Sequence, residues 1–388
     1  MEKTKLVLTL NLGSTSLKGS LFHRGTQPDW SGPSHSISWP IEDSPGRDSS
    51  EMSAQENGDL NASSTIVDLL ARQLKSWLST IGSTPNTVVH RIVHGGTLQG
   101  PCFLSPENIA LLSRISAWAP NHQSPALAIV DVTTSMWPMA TQLAMFDTDW
   151  HRTLPSLTRT FAISQALRSE GLHKFGFHGL AFQSAWRQLC KVHPDAIDRR
   201  VVLVHLGGGS SLCAVRGGRS VDTTMGLTPL DGLPMATRCG SIDPGVILHL
   251  LRSGSLSVSD LEAELNRNSG LLGISGTTGD MERLLLAETV EAKLAINIFV
   301  HRTAQGIASM ATTLGGIDDL VFSGGIGMHS SIIRAAIVEQ LDWIGLKIDP
   351  QANAAQEQRI NASSSAASIL VFEVYEDREL ANALSPAP

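Results

Sequence analysis

A strand–turn–strand pattern with a turn rich in glycine and serine occurs twice in the sequence. The first copy, "LTLNLGSTSLKGSLF", covers residues 8–22, and the second, "RRVVLVHLGGGSSLCAVRGGRSVDTT", covers 199–224. In both copies an apolar strand ends at a polar residue, small residues follow, and a second apolar strand begins. Because such a unit repeated far along a chain indicates related domains, we predict two domains, each built around a β-hairpin.

Chain length and composition agree with a two-domain globular protein. The 388 residues exceed what one hydrophobic core usually organises, and the 42% apolar and 17% charged fractions are typical of folded proteins. The net charge of -7 argues against a nucleic-acid surface, and no apolar run reaches the ~18 residues of a membrane span. The four scattered cysteines and the lack of a visible signal peptide lead us to expect reduced thiols and a cytoplasmic protein.

A third glycine-rich stretch lies late in the chain. The segment "DDLVFSGGIGMHSSIIRAAIVEQL", residues 318–341, predicts a strand, a turn and a helix whose first amides can bind phosphate. No P-loop, HExxH or CxxC motif occurs, and no glycine-rich stretch fits a Rossmann fingerprint. Each of the three turns alone is more often an ordinary tight turn. Together and in this order they indicate phosphate binding, because glycine leaves backbone amides open to anions.

Six motifs follow one another along the chain in an order that identifies a family. They are "NLGSTSLK" (11–18), "HRIVHGG" (90–96), "FDTDWHRTLP" (146–155), "FGFHG" (175–179), "HLGGGSSL" (205–212) and "DTTMGLTPLDGLPMATRCGSIDPG" (222–245). The chain thereby resembles the acetokinase family, which comprises acetate kinase and related short-chain acid kinases of the actin-like, sugar-kinase and heat-shock ATPase superfamily. The resemblance covers nearly the full length, and the last motif is its most specific part.

The resemblance implies a duplicated ribonuclease-H-like α/β fold, as in actin-like ATPases, with the active site in a cleft between two domains. The N-terminal domain is expected to span 1–146 and to be completed by 379–388. The C-terminal nucleotide-binding and dimerisation domain is expected to span 147–378. The family also implies a homodimer, for which the apolar helix predicted at 292–314 is a candidate surface.

The chemistry of such a family follows from residue types. A carboxylate nucleophile is already ionised at neutral pH, so phosphoryl transfer to it depends on positioning and electrostatics. By resemblance, Arg91 and Arg238 hold the acid's carboxylate and the phosphoryl group, for which the planar guanidinium is suited. His178 donates to the phosphoryl oxygens, and Asp147 binds Mg²⁺ directly or through water. Outside such motifs, a lone arginine is usually a surface residue and a lone histidine among apolar residues is usually in the core.

Further site residues are implied by the same motifs. The expected acid-binding residues are Arg91, Val93, Asn121, His122, Phe177 and Pro229. The expected nucleotide- and phosphate-binding residues are Asn11, Ser14, Ser16, Lys18, His205, Gly207, Gly209, Asp280, Gly324, Gly325 and Gly327. The expected metal ligands are Asn11, Asp147 and Glu379, with Mg²⁺ as the cofactor, Mn²⁺ as a substitute, and ATP or ADP as the nucleotide.

Two departures from the family pattern concern the substrates. Asn121 replaces an apolar residue expected in the acid pocket, so it either favours a more polar acid or points away. Met328 and His329 replace the usual residues of the glycine-rich turn, which weakens the prediction of adenosine binding.

A third departure concerns the metal. Arg378 stands where the family has a glutamate implicated in metal binding. One alternative is that a neighbouring acid, Glu376, Asp377 or Glu379, substitutes for that glutamate. The other is that magnesium affinity falls, or that Arg378 itself meets phosphate.

The leading hypothesis is an acetate kinase that transfers the γ-phosphoryl group of ATP to acetate, reversibly and by direct in-line attack, giving acetyl phosphate and ADP. A propionate or other small-acid kinase is an alternative because of Asn121. A pyrophosphate-linked acetate kinase is another, because of Met328 and His329. A non-catalytic nucleotide-binding relative is suggested by Arg378, but the presence of all four expected catalytic residues disfavours it.

Overall fold

The computed structural model describes residues 5–13, 16–24, 33–40, 72–80, 82, 84–120 and 122–384. The chain forms two compact units. Unit 1 consists of Met1–Asp149 and Tyr375–Pro388, and unit 2 of Trp150–Val374. The domain boundaries expected from the sequence, after residues 146 and 378, stay a prediction.

Unit 1 is built on a six-stranded mixed sheet. Its strands are β1 (Lys5–Leu12), β2 (Ser16–Arg24), β3 (His35–Pro40), β4 (Thr87–Ile92), β5 (Cys102–Phe103) and β6 (Thr141–Phe146). They are arranged in the order β3-β2-β1-β4-β6-β5, in which β1 is antiparallel to β2 and parallel to β4, and β4 is parallel to β6. The β1–β2 pair is the first hairpin predicted from the sequence.

Helices cover this sheet. They are α1 (residues 72–80), α2 (Pro106–Arg114), α3 (Gln123–Met136) and the last helix of the chain, α15 (Glu376–Asn382), with a 3₁₀ turn at Ser116–Trp118. Leucines at alternate positions of β1 pack with Leu74 and Leu78 of α1 and with Ile129 of α3. The residues between these leucines, Val7, Thr9 and Asn11, are buried as well, so both faces of β1 are covered.

Unit 2 is built on a five-stranded mixed sheet. Its strands are β7 (Val201–Leu206), β8 (Ser210–Arg216), β9 (Arg219–Thr223), β10 (Asp319–Ser323) and β11 (Ser368–Val371). They are arranged in the order β11-β10-β7-β8-β9, in which β7 is antiparallel to β8 and parallel to β10. The β7–β8 pair is the second predicted hairpin.

The two sheets share one topology. Five strands of unit 1, in the order β3-β2-β1-β4-β6, correspond to the five strands of unit 2 in the order β9-β8-β7-β10-β11. The relative directions of neighbouring strands are also the same. The internal repeat seen in the hairpins therefore extends to the whole sheet, as in a duplicated ribonuclease-H-like fold.

Unit 2 also contains helices of very different lengths. They are α4 (Ser156–Arg159), α5 (Gln165–Ser169), α6 (Gly179–Val192), α7 (Pro244–Arg252), α8 (Val258–Arg267), α9 (Gly270–Ser275), α10 (Met281–Leu286), α11 (Val290–Leu314), α12 (Gly324–His329), α13 (Ser331–Glu339) and α14 (Pro350–Ala354). Short 3₁₀ turns occur at Asp149–Thr153, Ala196–Asp198 and Asp342–Ile344. Alternate residues of β7 pack with different helices, because Leu203 packs with α6 while Val202 and Val204 pack with α11.

Within the described residues, no helix combines the length and the apolarity required to cross a lipid bilayer.

Candidate active site

A cluster of polar side chains lies at the carboxyl ends of three neighbouring parallel strands in unit 1. Asn11 is near the end of β1, Arg91 near the end of β4, and Asp147 directly follows β6. The Arg91 guanidinium donates through Nε to Asp147 Oδ1 at 2.8 Å and through Nη2 to Asp147 Oδ2 at 2.6 Å. Its Nη1 donates to Asn11 Oδ1 at 2.9 Å. Because neighbouring parallel strands end at the same edge of the sheet, residues far apart in sequence meet here.

The start of α15 adds a second carboxylate to this cluster. Glu376 Oε2 accepts a hydrogen bond from Asn11 Nδ2 at 2.6 Å and lies 3.4 Å from Arg91 Nη1. We call Asn11, Arg91, Asp147 and Glu376 the Arg91 cluster. Burial alone lowers the pKa of Arg91, but the charges of Asp147 and Glu376 outweigh it and raise that pKa above its ordinary value. Arg91 therefore stays charged at any physiological pH.

Arg378 lies on the same helix but makes a different contact. Its guanidinium carbon is 4.2 Å from the centroid of the Tyr375 ring, a cation–π distance, and its Nε is buried without a hydrogen-bond partner. The neighbouring Asp377 accepts a hydrogen bond from Ser20 Oγ at 3.1 Å, and Glu379 is buried. Of the acids considered as substitutes at this helix start, Glu376 is thus the one hydrogen-bonded to Asn11.

A second cluster forms in unit 2 around His178. This residue precedes α6 in the left-handed conformation, with φ 60° and ψ 25°, and its Nδ1 is 2.9 Å from Ser211 Oγ on β8. A Cβ added to Gly209 in the β7–β8 turn would lie 3.1 Å from His178 Nε2 and 3.8 Å from Arg238 Nη1. His178, Arg238 and the hairpin turn therefore converge within unit 2, and the glycine keeps the turn close to both side chains.

The loop that carries Arg238 is fixed by its own backbone. Arg238 Nη1 donates to Pro229 O at 3.1 Å, and Met235 N donates to Arg238 O at 3.0 Å. The start of α9 donates from Leu271 N to Met235 O at 2.8 Å. A side chain at Gly270 would collide with this loop, since its Cβ would lie 2.2 Å from Met235 O. These contacts hold Arg238 at a defined position.

The β7–β8 turn lies next to the other glycine-rich stretch of unit 2, residues 324–329. Strands β7 and β10 are parallel neighbours, and His205 Nδ1 is 3.2 Å from Ser323 Oγ where they end. A Cβ on Gly207 would lie 3.8 Å from Gly325 N, and one on Gly324 would lie 2.5 Å from Leu206 O. The predicted turn at 324–329 is itself a short helix, α12, and Arg334 donates to Gly327 O at 2.9 Å at its end.

Asp280 has a structural role at the start of a helix. It caps α10, because its Oδ1 accepts from Glu282 N at 2.8 Å and from Arg283 N at 3.4 Å. Its expected role in nucleotide binding stays a prediction.

The remaining expected site residues are distributed over both units. Ser16 begins β2, Lys18 is exposed and pairs with Asn11 across the hairpin, and His122 directly precedes α3. Val93 in unit 1 and Phe177 in unit 2 are buried apolar residues. Ser14 and Asn121 lie outside the described residues.

Two residues that make close contacts at these clusters were not among the expected site residues. Glu376 belongs to no motif, and only its position at a predicted strand end pointed to it. Ser211, which contacts His178, is inside the motif "HLGGGSSL". This motif is the sequence signal that indicates a role for Ser211 at the site.

Residues 6–383 match the sequence model of the acetokinase family. An acetate kinase of Rhodopseudomonas palustris strain TIE-1 is 39% identical, over 97% of this chain and 96% of the relative. The structure of a propionate kinase from Francisella tularensis subsp. tularensis SCHU S4 is similar with a TM-score of 0.82 at 30% identity, covering 98% of each chain. That of acetate kinase from Entamoeba histolytica has a TM-score of 0.79 at 25% identity, covering 97% of this chain and 98% of that chain. These similarities confirm the fold class and the resemblance expected from the motifs, and the chain belongs to the acetokinase family.

Proposed function

We propose that this kinase transfers the γ-phosphoryl group of ATP to acetate and forms acetyl phosphate and ADP reversibly. The Arg91 cluster carries the proposal. A permanently charged guanidinium held in a bidentate pair by a buried carboxylate suits the recognition of planar carboxylates and phosphoryl groups. The near-full-length similarity to an acetate kinase supports acetate as the acceptor.

The reaction requires no general base. An oxygen of the ionised acid forms a bond to the γ-phosphorus while the bond from that phosphorus to the bridging oxygen of ADP breaks, and the electron pair leaves with ADP. We assign Arg91 and Arg238 to the acid's carboxylate and to the transferred group. The enzyme's contribution is then to position two anions and to offset their charge.

His178 is assigned to the phosphoryl oxygens. Its Nδ1 is engaged by Ser211 Oγ, and its Nε2 is the nitrogen next to Gly209. If the Ser211 hydroxyl donates to Nδ1, the proton of the neutral ring is on Nε2. That atom can then donate a hydrogen bond to negative charge that develops during transfer.

The donor set of the Arg91 cluster fits a hard cation. Within the described part of the chain, no group of three or more His, Cys, Asp or Glu side chains forms a metal cluster. Mg²⁺ does not need one, because it usually takes one or two carboxylates together with substrate phosphates. We assign Asn11 and Asp147 to the metal, keep Glu379 as the third expected ligand, and expect the metal to neutralise charge on the phosphates.

A second candidate is propionate kinase. The similarity to the Francisella tularensis propionate kinase structure, at 30% identity over 98% of the chain, favours it. Val93, Phe177 and Pro229, which we assign to the acid pocket, do not by themselves decide between a methyl and an ethyl group.

A panel of acids and donors tests both candidates. The purified protein is incubated with Mg²⁺ and ATP or pyrophosphate, and with acetate, propionate, butyrate or glycolate, and the acyl phosphate is trapped with hydroxylamine. We expect ATP-dependent product with acetate as the best acid, and a loss of about 10²-fold or more in Arg238→Ala. A preference for propionate would select the second candidate. Absence of product with every acid would rule out the kinase proposal.

A further inference from the structure

The Arg91 cluster contains a carboxylate that the expected site did not include. We propose that Glu376 is a positioning residue for phosphoryl transfer, acting through Asn11 and Arg91. The inference rests on the proposed function. The family's glutamate at position 378 is implicated in metal binding, whereas the task proposed for Glu376 is to position Asn11 and Arg91.

Glu376 determines which way the Asn11 amide faces. The amide nitrogen donates to Glu376 Oε2 at 2.6 Å, and the amide oxygen accepts from Arg91 Nη1 at 2.9 Å. A rotated amide would place its NH₂ group against the guanidinium and its oxygen against the carboxylate, and both contacts would be repulsive. One orientation of Asn11 is therefore selected by a residue 365 positions away in the chain.

Glu376 also completes the restraint on Arg91. Asp147 engages Nε and Nη2, which fixes one edge of the guanidinium, while Asn11 and Glu376 contact the remaining nitrogen, Nη1. A guanidinium that is contacted at all three of its nitrogens has a fixed orientation. Such restraint matters for an enzyme whose chemistry is mainly positioning, because misplacement by about 1 Å can cost about 10²-fold in rate.

Helix geometry keeps position 378 away from this task. Residues 376 and 378 are separated by about 200° around a helix, so their side chains point in nearly opposite directions. The Arg378 guanidinium accordingly stacks on Tyr375, which is the one tyrosine of the sequence. The aromatic face of Tyr375 thus holds the Arg378 guanidinium. The carboxylate that contacts Arg91 belongs instead to Glu376, the first residue of α15.

Four variants test the proposal. Glu376→Gln removes the charge at nearly constant shape, and Glu376→Asp keeps the charge on a shorter side chain. Asp377→Asn is the matched control, because this neighbouring acid contacts Ser20. Arg378→Glu places a carboxylate where the sequence had suggested one. For each variant, kcat, the KM for the acid and for ATP, and Tm are measured.

We expect Glu376→Gln to lower kcat/KM for the acid by about 10²-fold, with the KM for ATP within about twofold of the parent and Tm nearly unchanged. Glu376→Asp should retain more activity than Glu376→Gln, and the two other variants should stay within about threefold. A kinetically normal Glu376→Gln together with a faster Arg378→Glu would overturn the proposal. A Glu376→Gln variant in which kcat and both KM values worsen to the same extent, together with a fall in Tm, would also overturn the proposal. Such a result would indicate a merely structural role for Glu376.

A measurement without turnover separates this inference from the proposed function. Phenylglyoxal modifies accessible arginines, and mass spectrometry reports the extent at Arg91 with and without acetate and ADP. We expect the two ligands to protect Arg91 in the parent protein and in Asp377→Asn, and to protect it less in Glu376→Gln. Protection with no acyl phosphate formed would contradict the kinase function alone, whereas equal protection in Glu376→Gln would contradict the role of Glu376.

Discussion

Two adjacent glycines in the β7–β8 turn have very different surroundings. A Cβ on Gly209 would lie 3.1 Å from His178 Nε2, whereas a Cβ on Gly208 would have no atom within 4 Å. Neither residue has a left-handed backbone that would itself demand glycine. A Cβ at position 209 would therefore crowd His178, whereas a Cβ at position 208 would have free space.

This contrast predicts different effects of one added methyl group. Gly209→Ala should displace His178 by a few tenths of an ångström and lower kcat by about 10-fold or more. Gly208→Ala should leave kcat within about twofold, and both variants should unfold at similar temperatures. Equal kinetics of the two variants in the hydroxylamine assay would show that the His178 contact is not used in catalysis.

Two buried histidines make stability depend on pH. Burial lowers the pKa of His90 to about 4, although Gln142 raises it, and burial likewise lowers the pKa of His151 to about 4. His151 contacts Ser220 Oγ at 2.8 Å and Phe177 O at 2.9 Å. Because each folded-state pKa is below that of an unfolded histidine, near 6.5, the unfolded chain binds more protons between these values.

The lowered pKa values of His90 and His151 predict a loss of stability in acid. The stability that these histidines contribute is present above pH 6.5 and is lost as pH falls towards 4, by roughly 3 kcal/mol for each histidine. Calorimetric Tm should fall steeply in this range. His151→Asn should be less stable at pH 7 and show a shallower fall. A slope equal to that of the parent protein would contradict the assignment of a neutral His151.

At the scale of elements, the sequence predicted the two hairpins but missed a short helix in the third glycine-rich stretch. Alternating apolar residues around glycine and serine located β1–β2 and β7–β8, because period-two patterns and turn residues are local signals. The glycine-rich stretch at 324–329 was predicted as a turn but forms the short helix α12, which begins at Gly324, where an added Cβ would lie 2.5 Å from Leu206 O. This close approach depends on a parallel neighbouring strand, so no local pattern reveals it.

The same reasoning explains which site residues were found. Arg91, Asp147, His178 and Arg238 lie in motifs, and the structure brings them into one cluster in each unit. The sequence offered Glu376 only as one of three neighbouring acids. Choosing among the three requires knowledge of the residue at which α15 begins. Arg334 gave no signal at all, since an arginine within an apolar helix resembles any amphipathic position.

Arg334 on α13 joins α12, the third glycine-rich stretch, to α14. It is fully buried, its pKa is lowered by burial, and it donates to Gly327 O, to Met328 O at 2.6 Å and to Asn353 Oδ1 at 2.9 Å. The positively charged guanidinium thus donates hydrogen bonds to carbonyl groups at the C-terminal end of α12, where a positive charge is favourable. This network holds the backbone at Met328, whose side chain departs from the family pattern.

Removing this network should affect both stability and nucleotide binding. Arg334→Met leaves several buried carbonyl groups unpaired, so we expect a loss of roughly 3 kcal/mol in the free energy of unfolding. If α12 contacts the nucleotide, the KM for ATP should rise while the KM for the acid stays constant. Arg302→Met, at an exposed arginine of α11, is the control. A pure loss of stability with unchanged kinetics would remove α12 from the nucleotide site.

At the scale of the whole molecule, an apolar surface on unit 2 supports the expected homodimer. Helix α11 packs Phe299 and Ile307 inside unit 2, so one face of the helix predicted at 292–314 serves the core. Helix α7 instead has no buried residue, and Val246 and Leu248 are exposed on it. We propose that a second copy of the chain covers α7.

A single charge on this helix tests the assembly. Leu248→Asp should convert a dimer into a folded monomer, because an ionised carboxylate cannot be buried unpaired in an apolar interface. Light scattering after gel filtration measures the mass, and Met139→Asp, at an exposed methionine of unit 1, is the control. A parent protein that is monomeric, or a dimer that tolerates the aspartate, would exclude α7 as the interface.

The return of the chain to unit 1 after residue 374 has a consequence for biosynthesis. Unit 1 consists of an early segment and a late one, and Glu376 belongs to the late segment. A ribosome must therefore translate all of unit 2 before the carboxylate that orients Asn11 exists. A nascent chain or a truncated product that stops before α15 has the arginine and aspartate of the Arg91 cluster but lacks Glu376, which couples the assembly of this cluster to the synthesis of unit 2.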